Sequence, residues 1–478
     1  MTFATVLRSQ KPMRSSSTDQ TEAHLTGLPR VLGTGQAISI VVGTIIGSGI
    51  FLVPCEMMRD TGSSSVVYLA WIVGGLLSLF GAMTYAELGT MLPYAGGEYV
   101  YLHGAYGDTT AFLYMWTWFA VAKPGSIAAM TVGLVRTLEA LPGMQGLATA
   151  VPFLPGHIEW SQLLAIAIAW LITTLNYLGI KKAGAFQLAF TVLKGLLILV
   201  VVGLCFSSAI GSFANFTTTL PTAIGGMRGF MLALIATLWA YDGWSDLNSV
   251  AGEVRSPQRS LPIALIGGLA AVGVLYMATN AAIQLVLPAA KIAASPQPAI
   301  AALTAVAGAR GASFVAIAMA ISIFVAINGT IMSGARVPFA AARDGLFFHQ
   351  FAHISKRFQS PSTALFAQAA LASVLLLFLK RFEQFFELTV FAEWLFYALT
   401  ASTVFVYRRK HPELARPYRV WGYPVLPAVF LLSAAVVLVY SYLDNLKGSL
   451  LGTALILAGI PLLAVIRRLY PQAKRQAQ

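Results

Sequence analysis

The chain has 478 residues, of which 57% are hydrophobic and 10% are charged, and its mean hydropathy is +0.74. Soluble proteins carry about 25% charged residues, so this composition excludes a soluble globular protein and predicts a polytopic membrane protein. The net charge of +13 would suit a nucleic-acid surface, but the distribution of the basic residues argues against that function.

Twelve apolar segments are long enough to be membrane-spanning helices, which need about 20 residues each. They are too long for barrel strands, so the sequence predicts an all-α fold. The segments fall at 34–57, 65–90, 99–137, 160–179, 184–209, 224–250, 262–287, 311–342, 362–380, 387–408, 424–443 and 448–467. The polar residues 1–32 are predicted to be a disordered cytoplasmic tail, because they lack the hydrophobic region of a signal peptide.

The basic residues indicate how these helices are oriented. With the N-terminus in the cytoplasm, 20 of the 31 Lys and Arg residues lie in cytoplasmic tails and loops, seven lie outside and four lie within helices. This asymmetry obeys the positive-inside rule. We therefore expect a multi-pass protein of the plasma (inner) membrane with both termini cytoplasmic and no nucleic-acid partner.

The first segment contains three glycines, Gly43, Gly47 and Gly49, within seven residues. A glycine costs about 1 kcal/mol relative to alanine inside a helix, and unwound backbone in hydrocarbon leaves polar groups without partners. Such a break is tolerated where it lines a cavity enclosed by protein. The motif therefore predicts a small-molecule site near the bilayer midplane, with close helix packing at Gly47 and Gly49 as the alternative.

The sixth segment has a second break, where Asp242 and Gly243 interrupt an apolar helix. The two breaks occupy corresponding positions if segments 1–5 and 6–10 are repeats. Because five is an odd number, such repeats have opposite orientations in the membrane. We predict one repeat over 33–209, an inverted repeat over 210–408, two further helices over 409–467 and a cytoplasmic tail over 468–478.

The broken helices predict which chemical groups they bind. At each break one half-helix presents free N–H groups and the other presents free C=O groups, with partial charges of opposite sign. A carboxylate suits the amides around Ser48 and Gly49, with the Ser48 hydroxyl as a further donor. An ammonium suits the carbonyls of Ile45, Trp239, Ala240 and Asp242. An α-amino acid carries both groups on one carbon and would satisfy both breaks.

A series of motifs gives this chain a recognisable resemblance over nearly all of residues 33–430. The motifs are residues 43–51, 85–93, 96–99, 241–244, 252–262, 343–345, 416–418 and 422–424. In this order they resemble the amino acid–polyamine–organocation superfamily and, within it, a bacterial-type member of the L-type amino acid transporter group. The resemblance implies a LeuT-like fold with discontinuous helices 1 and 6, and amino acid transport by alternating access.

Lys194 lies near the middle of the fifth segment, about 15 Å from either interface at 1.5 Å per residue. A lysine at that depth is costly and usually functional. The resemblance implies that it stands where sodium-coupled relatives hold an ion, and that it braces the first broken helix. Transport would then be sodium-independent, by exchange or with proton coupling. The alternative is a structural lysine that bonds carbonyls without a role in transport.

Three residues of the sixth segment bear on gating and specificity. The resemblance implies that Trp239 covers the substrate from outside and closes the outer path, although it could simply pack. Asp242 either enters the substrate cavity or caps the second half-helix, and we favour the cap. Ser245 is neutral where arginine-type relatives carry a carboxylate, which favours neutral substrates, with cationic amino acids or polyamines as the alternative.

Further polar residues within the segments are secondary candidates. Lys123 precedes Pro124 in the third segment and could line the pathway. Asn280 and Asn328 lie in segments 7 and 8, where hydrogen bonds between helices are the favoured interpretation. The acidic residues near cytoplasmic ends are predicted to be inner-gate or loop-folding residues, or solvated charges: Glu87, Glu98, and Glu253 with Arg255.

Partners and rival functions are also constrained. Cys55 and Cys205 lie in different segments, so no disulfide framework is expected. The animal transporters that the chain resembles carry a cysteine after the third helix that links a glycoprotein subunit, whereas residues 141–160 contain none. We expect a monomer or loose homodimer without such a partner, metal or cofactor. A membrane enzyme is disfavoured, because Ser48 has no histidine base at its depth.

Overall fold

The computed structural model describes residues 28–139, 141, 143–152, 158–378 and 382–470. Within these ranges the regular secondary structure is helical and the strands are limited to isolated bridges, which confirms the all-α class. Most of the predicted N-terminal tail (residues 1–27) and the C-terminal residues 471–478 lie outside the described residues. Nine of the described helical segments are long and apolar enough to cross a membrane, and the count of twelve stays a prediction.

The helices of the first half begin at Thr34. They are α1 (Thr34–Ile45), α2 (Gly49–Thr61), α3 (Ser64–Met91), α4 (Glu98–Tyr106), α5 (Asp108–Thr117), α6 (Lys123–Glu139), α7 (Trp160–Tyr177) and α8 (Ile180–Phe206). A π-helix, Trp118–Ala122, joins α5 to α6. Pi-helical turns of this kind are rare and occur frequently at functional sites.

The second half continues with helices of more varied length. They are α9 (Gly226–Ala240), α10 (Asp246–Ser249), α11 (Pro257–Pro262), α12 (Gly268–Val286), α13 (Ala289–Ala294), α14 (Pro298–Gly334), α15 (Arg336–Arg343), α16 (Ser362–Phe378) and α17 (Phe382–Lys410). The last helices are α18 (Val425–Asp444), α19 (Leu446–Leu457) and α20 (Gly459–Leu469). The long helix α14 is interrupted at Gly308, where φ is 61°.

One predicted segment is wrong for an identifiable reason. The third segment, predicted over 99–137, is divided at Gly107, whose φ of 83° ends the short helix α4 before α5 begins. The sixth segment, predicted over 224–250 with a break at Asp242 and Gly243, is helical to Ala240 and resumes as the four-residue helix α10, which a 3₁₀ turn over Ala251–Glu253 follows. Apolar composition marks depth in the membrane but does not locate such turns.

The two broken helical segments lie in the interior, and intact helices surround them. Helix α1 packs against α8, α12 and α14, and α2 packs against α9. In α8 the side chains of Gln187, Thr191 and Lys194 are buried, whereas Leu196 and Leu199 on the opposite side are more than half exposed. This helical periodicity places polar groups against the first break and apolar groups towards lipid.

Two ends of the helical bundle serve as reference surfaces. The Val254 face is the end at which Leu32 bridges Val254 and Tyr99 contacts Asp344. The Gly62 face is the opposite end, at which the N–H of Leu220 donates to the carbonyl of Gly62. The chain runs from the Val254 face through α1 and α2 to the Gly62 face.

Candidate functional site

A cavity of about 740 Å³, part of it open to solvent, lies between the two breaks. The lining residues are Thr44, Ile45, Gly47, Ser48, Gly49, Lys123, Gly125, Ser126, Ala129, Met130, Trp239, Ala240, Asp242, Gly243, Asp246, Thr330 and Glu393. Eight sequence-predicted site residues are therefore brought together: Ile45, Gly47, Ser48, Gly49, Lys123, Trp239, Ala240 and Asp242.

The first break supplies amide donors. Helix α1 ends at Ile45, Ile46 has a non-helical ψ of 83°, and α2 begins at Gly49. Within the described residues, neither the Ser48 N–H nor the Gly49 N–H donates to a backbone carbonyl. The first amides of a helix have no intrahelical acceptor and carry partial positive charge, so this end of the cavity suits an anion.

The second break depends on a glycine. Gly243 has φ of 100°, a left-handed conformation that disfavours side chains, and an added Cβ would lie 2.8 Å from the Thr44 Cγ2 atom. Helix α10 begins at Asp246 with Ser245 in the N-cap position. The favoured interpretation of Asp242 as the cap is therefore wrong, because its carboxylate lines the cavity and accepts a hydrogen bond from the Tyr397 hydroxyl at 2.6 Å.

The two breaks are in direct contact. A Cβ added to Gly49 would lie 3.1 Å from both Cα and Cβ of Ala240, so a glycine at this position allows the close approach. The Tyr276 hydroxyl lies 3.0 Å from the carbonyl oxygen of Ile45 and 3.0 Å from that of Ala240. One side chain of α12 thus joins the C-terminal ends of α1 and α9.

Lys194 contacts the backbone of the first break. Its Nζ donates to the carbonyl oxygens of Gly43 and Ile46, each at 2.6 Å, and its side chain is fully buried. The Ser322 hydroxyl of α14 donates to the same Ile46 carbonyl at 2.9 Å. An ammonium and a hydroxyl therefore hold the unwound backbone from α8 and α14, the two helices on either side of it.

Lys123 occupies the opposite side of the cavity. It follows the π-helix directly, and its Nζ lies 2.7 Å from the Asp246 Oδ1 atom and 4.1 Å from the ring centroid of Trp118. Asp246 is fully buried. The charge of Lys123 is therefore engaged with α10, although its stem lines the cavity.

Besides Lys194, three predicted residues lie outside the cavity lining. Ser245 is buried and its hydroxyl is 3.3 Å from that of Tyr397. Asn328 bonds both Asn176 and Gln187, so it joins three helices as expected for an interhelical residue. The Asn280 side chain instead donates to the Tyr276 carbonyl on its own helix, so among the described residues its hydrogen bond lies within one helix and not between helices.

Sequence reasoning missed several residues around the cavity. Tyr276 and Ser322 are ordinary in apolar helices, and nothing in the local pattern distinguishes them. Glu393 could have been found, because a carboxylate within an apolar segment is a functional candidate by its depth alone. It is buried and lines the cavity.

Ion pairs close the Val254 face. Arg336 and Glu253 are both fully buried and form two hydrogen bonds at 2.9 and 3.3 Å. Arg408 makes a bidentate pair with Glu87 at 2.8 and 2.6 Å. Glu253 therefore pairs with Arg336 and not with Arg255, which corrects the grouping made from sequence.

The cavity extends towards the other face. Its lining residues on α6 run from Lys123 to Met130, and α6 continues from there towards the Gly62 face. None of the residues that pair at the Val254 face lines the cavity. The structure thus has its site closed on the Val254 side.

The fold and cavity define a polytopic membrane protein with a site for a small molecule between two interrupted helices. A family model described as amino acid permease matches residues 32–466. The chain belongs to the amino acid permease family, which confirms the superfamily inferred from the motifs.

Known relatives align over most of their length. The serine/threonine exchanger SteT of Bacillus subtilis (strain 168) is 31% identical over 439 residues, which are 91% of this chain and 96% of SteT. The human b(0,+)-type amino acid transporter 1 is 33% identical over 91% of this chain and 87% of its own. The human cystine/glutamate transporter is 28% identical over 89% and 83%. These relatives are transporters or exchangers of amino acids. They confirm the predicted L-type amino acid transporter group, and the similarity to the bacterial SteT confirms the predicted bacterial type.

Proposed function

We propose that this protein is a sodium-independent transporter of neutral L-amino acids that works by alternating access. The observation that carries the proposal is the pairing of two helix breaks around one cavity. The Ser48 and Gly49 amides face it from the first break, and carbonyl groups end α1 and α9 beside them. A substrate's carboxylate would bind the amides of Ser48 and Gly49, and its ammonium would bind the carbonyls of Ile45, Trp239, Ala240 and Asp242.

The hydrogen-bonding capacity of these carbonyls supports the assignment. The Trp239 carbonyl accepts from the Asp242 N–H at 2.9 Å. A carbonyl oxygen has two lone pairs, and a substrate ammonium has three hydrogens to donate. Recognition of the headgroup by backbone is the same for every α-amino acid, so side-chain selection falls to Ser126, Met130 and Thr330 in the remaining lining.

Sodium independence follows from Lys194. Its ammonium already donates to two carbonyls of the first break, and carbonyl oxygens are the ligands that a sodium ion would use at such a break. A second cation there would be repelled at short range in a medium of low dielectric constant. We infer that the tethered charge replaces an ion.

Substrate counterflow in proteoliposomes tests the transport function. The purified full chain, in vesicles preloaded with unlabelled L-serine, should accelerate uptake of labelled L-serine several-fold over vesicles loaded with buffer. Choline in place of sodium should leave the uptake unchanged. A membrane enzyme or a channel would show no acceleration by preloading, and a strong loss in choline would contradict sodium independence.

Orientation, assembly and the absence of catalysis also belong to the proposal. The excess of Lys and Arg near the Val254 face supports a cytoplasmic location for that face and for both termini. Cys55 and Cys205 are free and buried, which supports a subunit without a disulfide-linked partner. Ser48 has no histidine among the residues that line the cavity, which supports transport without chemical conversion.

A second candidate is the transport of cationic amino acids or polyamines. It is favoured by two cavity carboxylates, Asp242 and Glu393, which would attract a positively charged side chain. A competition panel of the twenty amino acids and putrescine against labelled L-serine decides between the candidates. Stronger inhibition by lysine, arginine or putrescine than by the neutral amino acids would replace the first candidate with the second.

A further inference from the structure

The connection between α17 and α18, residues 411–424, lies at the Val254 face. Helix α17 ends at Lys410, and its last turn carries Arg408, which forms the Glu87 pair that closes this face. Helix α18 begins at Val425 and is long and apolar enough to cross a membrane. The residues directly before such a helix lie at the level of the lipid headgroups, so this connection, the α17–α18 loop, lies at the membrane surface.

The charge of this region is strongly positive. Residues 408–421 contain five Lys and Arg residues and one acidic residue. Two of the basic side chains are engaged within the fold, because Arg408 forms the closing ion pair and Arg416 donates to four nearby backbone carbonyls. The acidic residue, Glu413, is 66% exposed and lies 3.3 Å from His411. The other three basic residues give the surface its net charge.

These three residues, Arg409, Lys410 and Arg419, are exposed. Among the described residues, no ion pair or hydrogen bond engages their side chains. Beside them Trp421 is 69% exposed and Val425 is 60% exposed. Tryptophan is enriched where a protein meets lipid headgroups, and clusters of Lys and Arg next to a membrane helix attract anionic lipids. This combination fits the anionic headgroups of phospholipids.

The loop also contacts the Glu87–Arg408 pair on both sides of Trp421. Before it, the Val420 N–H donates to the Glu87 Oε2 atom at 2.7 Å. After it, the Tyr423 ring lies with its centroid 3.7 Å from the Arg408 guanidinium. The Glu87 side chain is buried, so its carboxylate depends on the donors that the protein provides. Holding Trp421 at the membrane surface therefore holds the backbone that completes the closing pair.

We propose that the α17–α18 loop and the end of α17 bind anionic phospholipid headgroups, and that this binding stabilises the conformation closed at the Val254 face. Arg409, Lys410 and Arg419 contact the phosphate groups, and the Trp421 ring lies among the headgroups. The lipid is a partner of the closed conformation and not a transported substrate. Because salt screens exposed charges, the binding weakens as ionic strength rises.

Lipid retention tests the binding. The purified full chain is equilibrated in mixed micelles that contain radiolabelled phosphatidylglycerol or radiolabelled phosphatidylcholine. At low salt we expect the protein to retain several-fold more phosphatidylglycerol than phosphatidylcholine, and at high salt we expect this preference to disappear. The loop variant, Arg409→Gln with Lys410→Gln, should retain several-fold less phosphatidylglycerol than the unmodified protein.

A second adjacent pair of basic residues provides the matched control. Lys181 and Lys182 are exposed at the start of α8, and nearby Gly184 packs against Leu32 at the same Val254 face. Helix α8 packs against α1, α7, α12 and α14, away from the Glu87 pair. The α8 variant, Lys181→Gln with Lys182→Gln, removes the same charge from the same face and should retain phosphatidylglycerol like the unmodified protein.

Thiol labelling tests the link to closure. Ser249→Cys is introduced into a protein with Cys55 and Cys205 replaced by alanine, since Ser249 is buried at the Val254 face, where its carbonyl accepts from the Gly96 N–H. A membrane-impermeant thiol reagent should react several-fold more slowly in vesicles of equal parts phosphatidylcholine and phosphatidylglycerol than in vesicles of phosphatidylcholine alone. The loop variant should show equal rates in the two vesicles, and the α8 variant should keep the difference.

Two outcomes overturn the proposal. Equal phosphatidylglycerol retention by the loop variant and the α8 variant would show that the face attracts anionic lipid only through its overall charge. A labelling rate that does not depend on lipid, although the loop variant loses phosphatidylglycerol, would exclude the link to closure. Neither measurement uses an amino acid, so both are distinct from a failure of the proposed transport function, which an absence of counterflow in the unmodified protein would reveal.

Discussion

At the scale of single residues, the geometry of the two breaks depends on side chains that hold the backbone. Lys194 and Tyr276 each contact two carbonyls at the breaks. Both are fully buried, so their polar groups have no access to water. Removing either group leaves acceptors unsatisfied in a medium that offers no replacement.

Lys194→Ala is expected to reduce counterflow more than about tenfold. Each hydrogen bond from a charged group is worth about 1.5–3 kcal/mol, and the change removes two at the first break. Lys447→Ala, at an exposed lysine, is the matched control and should behave like the unmodified protein. Wild-type counterflow in Lys194→Ala would show that the lysine has no role in transport.

Tyr276→Phe should raise the KM for L-serine about fivefold to tenfold, given a net value of about 1 kcal/mol for a hydrogen bond. The ring and its packing against Trp71 and Tyr241 are retained, so kcat for exchange should change less than KM. Tyr106→Phe removes an exposed hydroxyl contact to Ser402 and is the control. Equal KM values for the two variants would contradict a role for Tyr276 at the breaks.

At the scale of helices, the importance of each glycine depends on which atoms an added Cβ would meet. A Cβ added to Gly43 would lie 2.2 Å from the Gln187 Nε2 atom and 2.5 Å from the Thr191 Oγ1 atom of α8. By contrast, Gly195 lies on α8 itself, and a Cβ added there would have no neighbouring atom within 4 Å. Different glycines of the first motif therefore have different roles. Gly43 allows α1 to pack closely against α8, and Gly49 lies at the unwound site.

Gly43→Ala is expected to separate α1 from α8, with a cost of about 1–3 kcal/mol for overpacking. The thermal midpoint in detergent should fall by several degrees, and counterflow should fall with it because the Gly43 carbonyl accepts from Lys194. Gly195→Ala should leave the midpoint unchanged or raise it, since alanine favours helix. The opposite order of the two midpoints would show that this interface is not tightly packed.

The sequence predicted the fold better than the details of the site. The lengths of the apolar segments and the positions of the glycines located both breaks. They could do so because unwound backbone inside a membrane is tolerated only where protein encloses it or where it lines a cavity. Tyr276 was not predicted, because its role arises from the meeting of three helices. Asp242 was expected to be a cap because local sequence cannot show that Tyr397, more than 150 positions away, provides its hydrogen bond.

At the scale of the whole molecule, buried ion pairs close one face of the helical bundle. The Arg336–Glu253 and Arg408–Glu87 pairs join distant segments at the Val254 face, while the cavity extends towards the Gly62 face. Alternating access requires that these pairs separate when the site opens to the Val254 face. The balance between conformations should therefore depend on them.

Glu253→Gln leaves the buried Arg336 charge without its partner, a change that costs about 3–5 kcal/mol for a buried pair. The conformation closed at the Val254 face loses this stabilisation. In a protein with Cys55 and Cys205 replaced by alanine, Ser249→Cys should then react several-fold faster with a thiol reagent applied from that face. Glu413→Gln is the control, and equal rates in the two variants would exclude Glu253 from the closure.

Lys194 has a consequence for the environments in which the protein functions. A dissociable ion occupies its site only to the extent that its concentration in the medium exceeds its dissociation constant, so a carrier that needs it slows in dilute water. The Lys194 ammonium is attached by its own side chain, and its occupancy of the Gly43 and Ile46 carbonyls does not depend on concentration. Uptake should therefore proceed alike in fresh water and in brine.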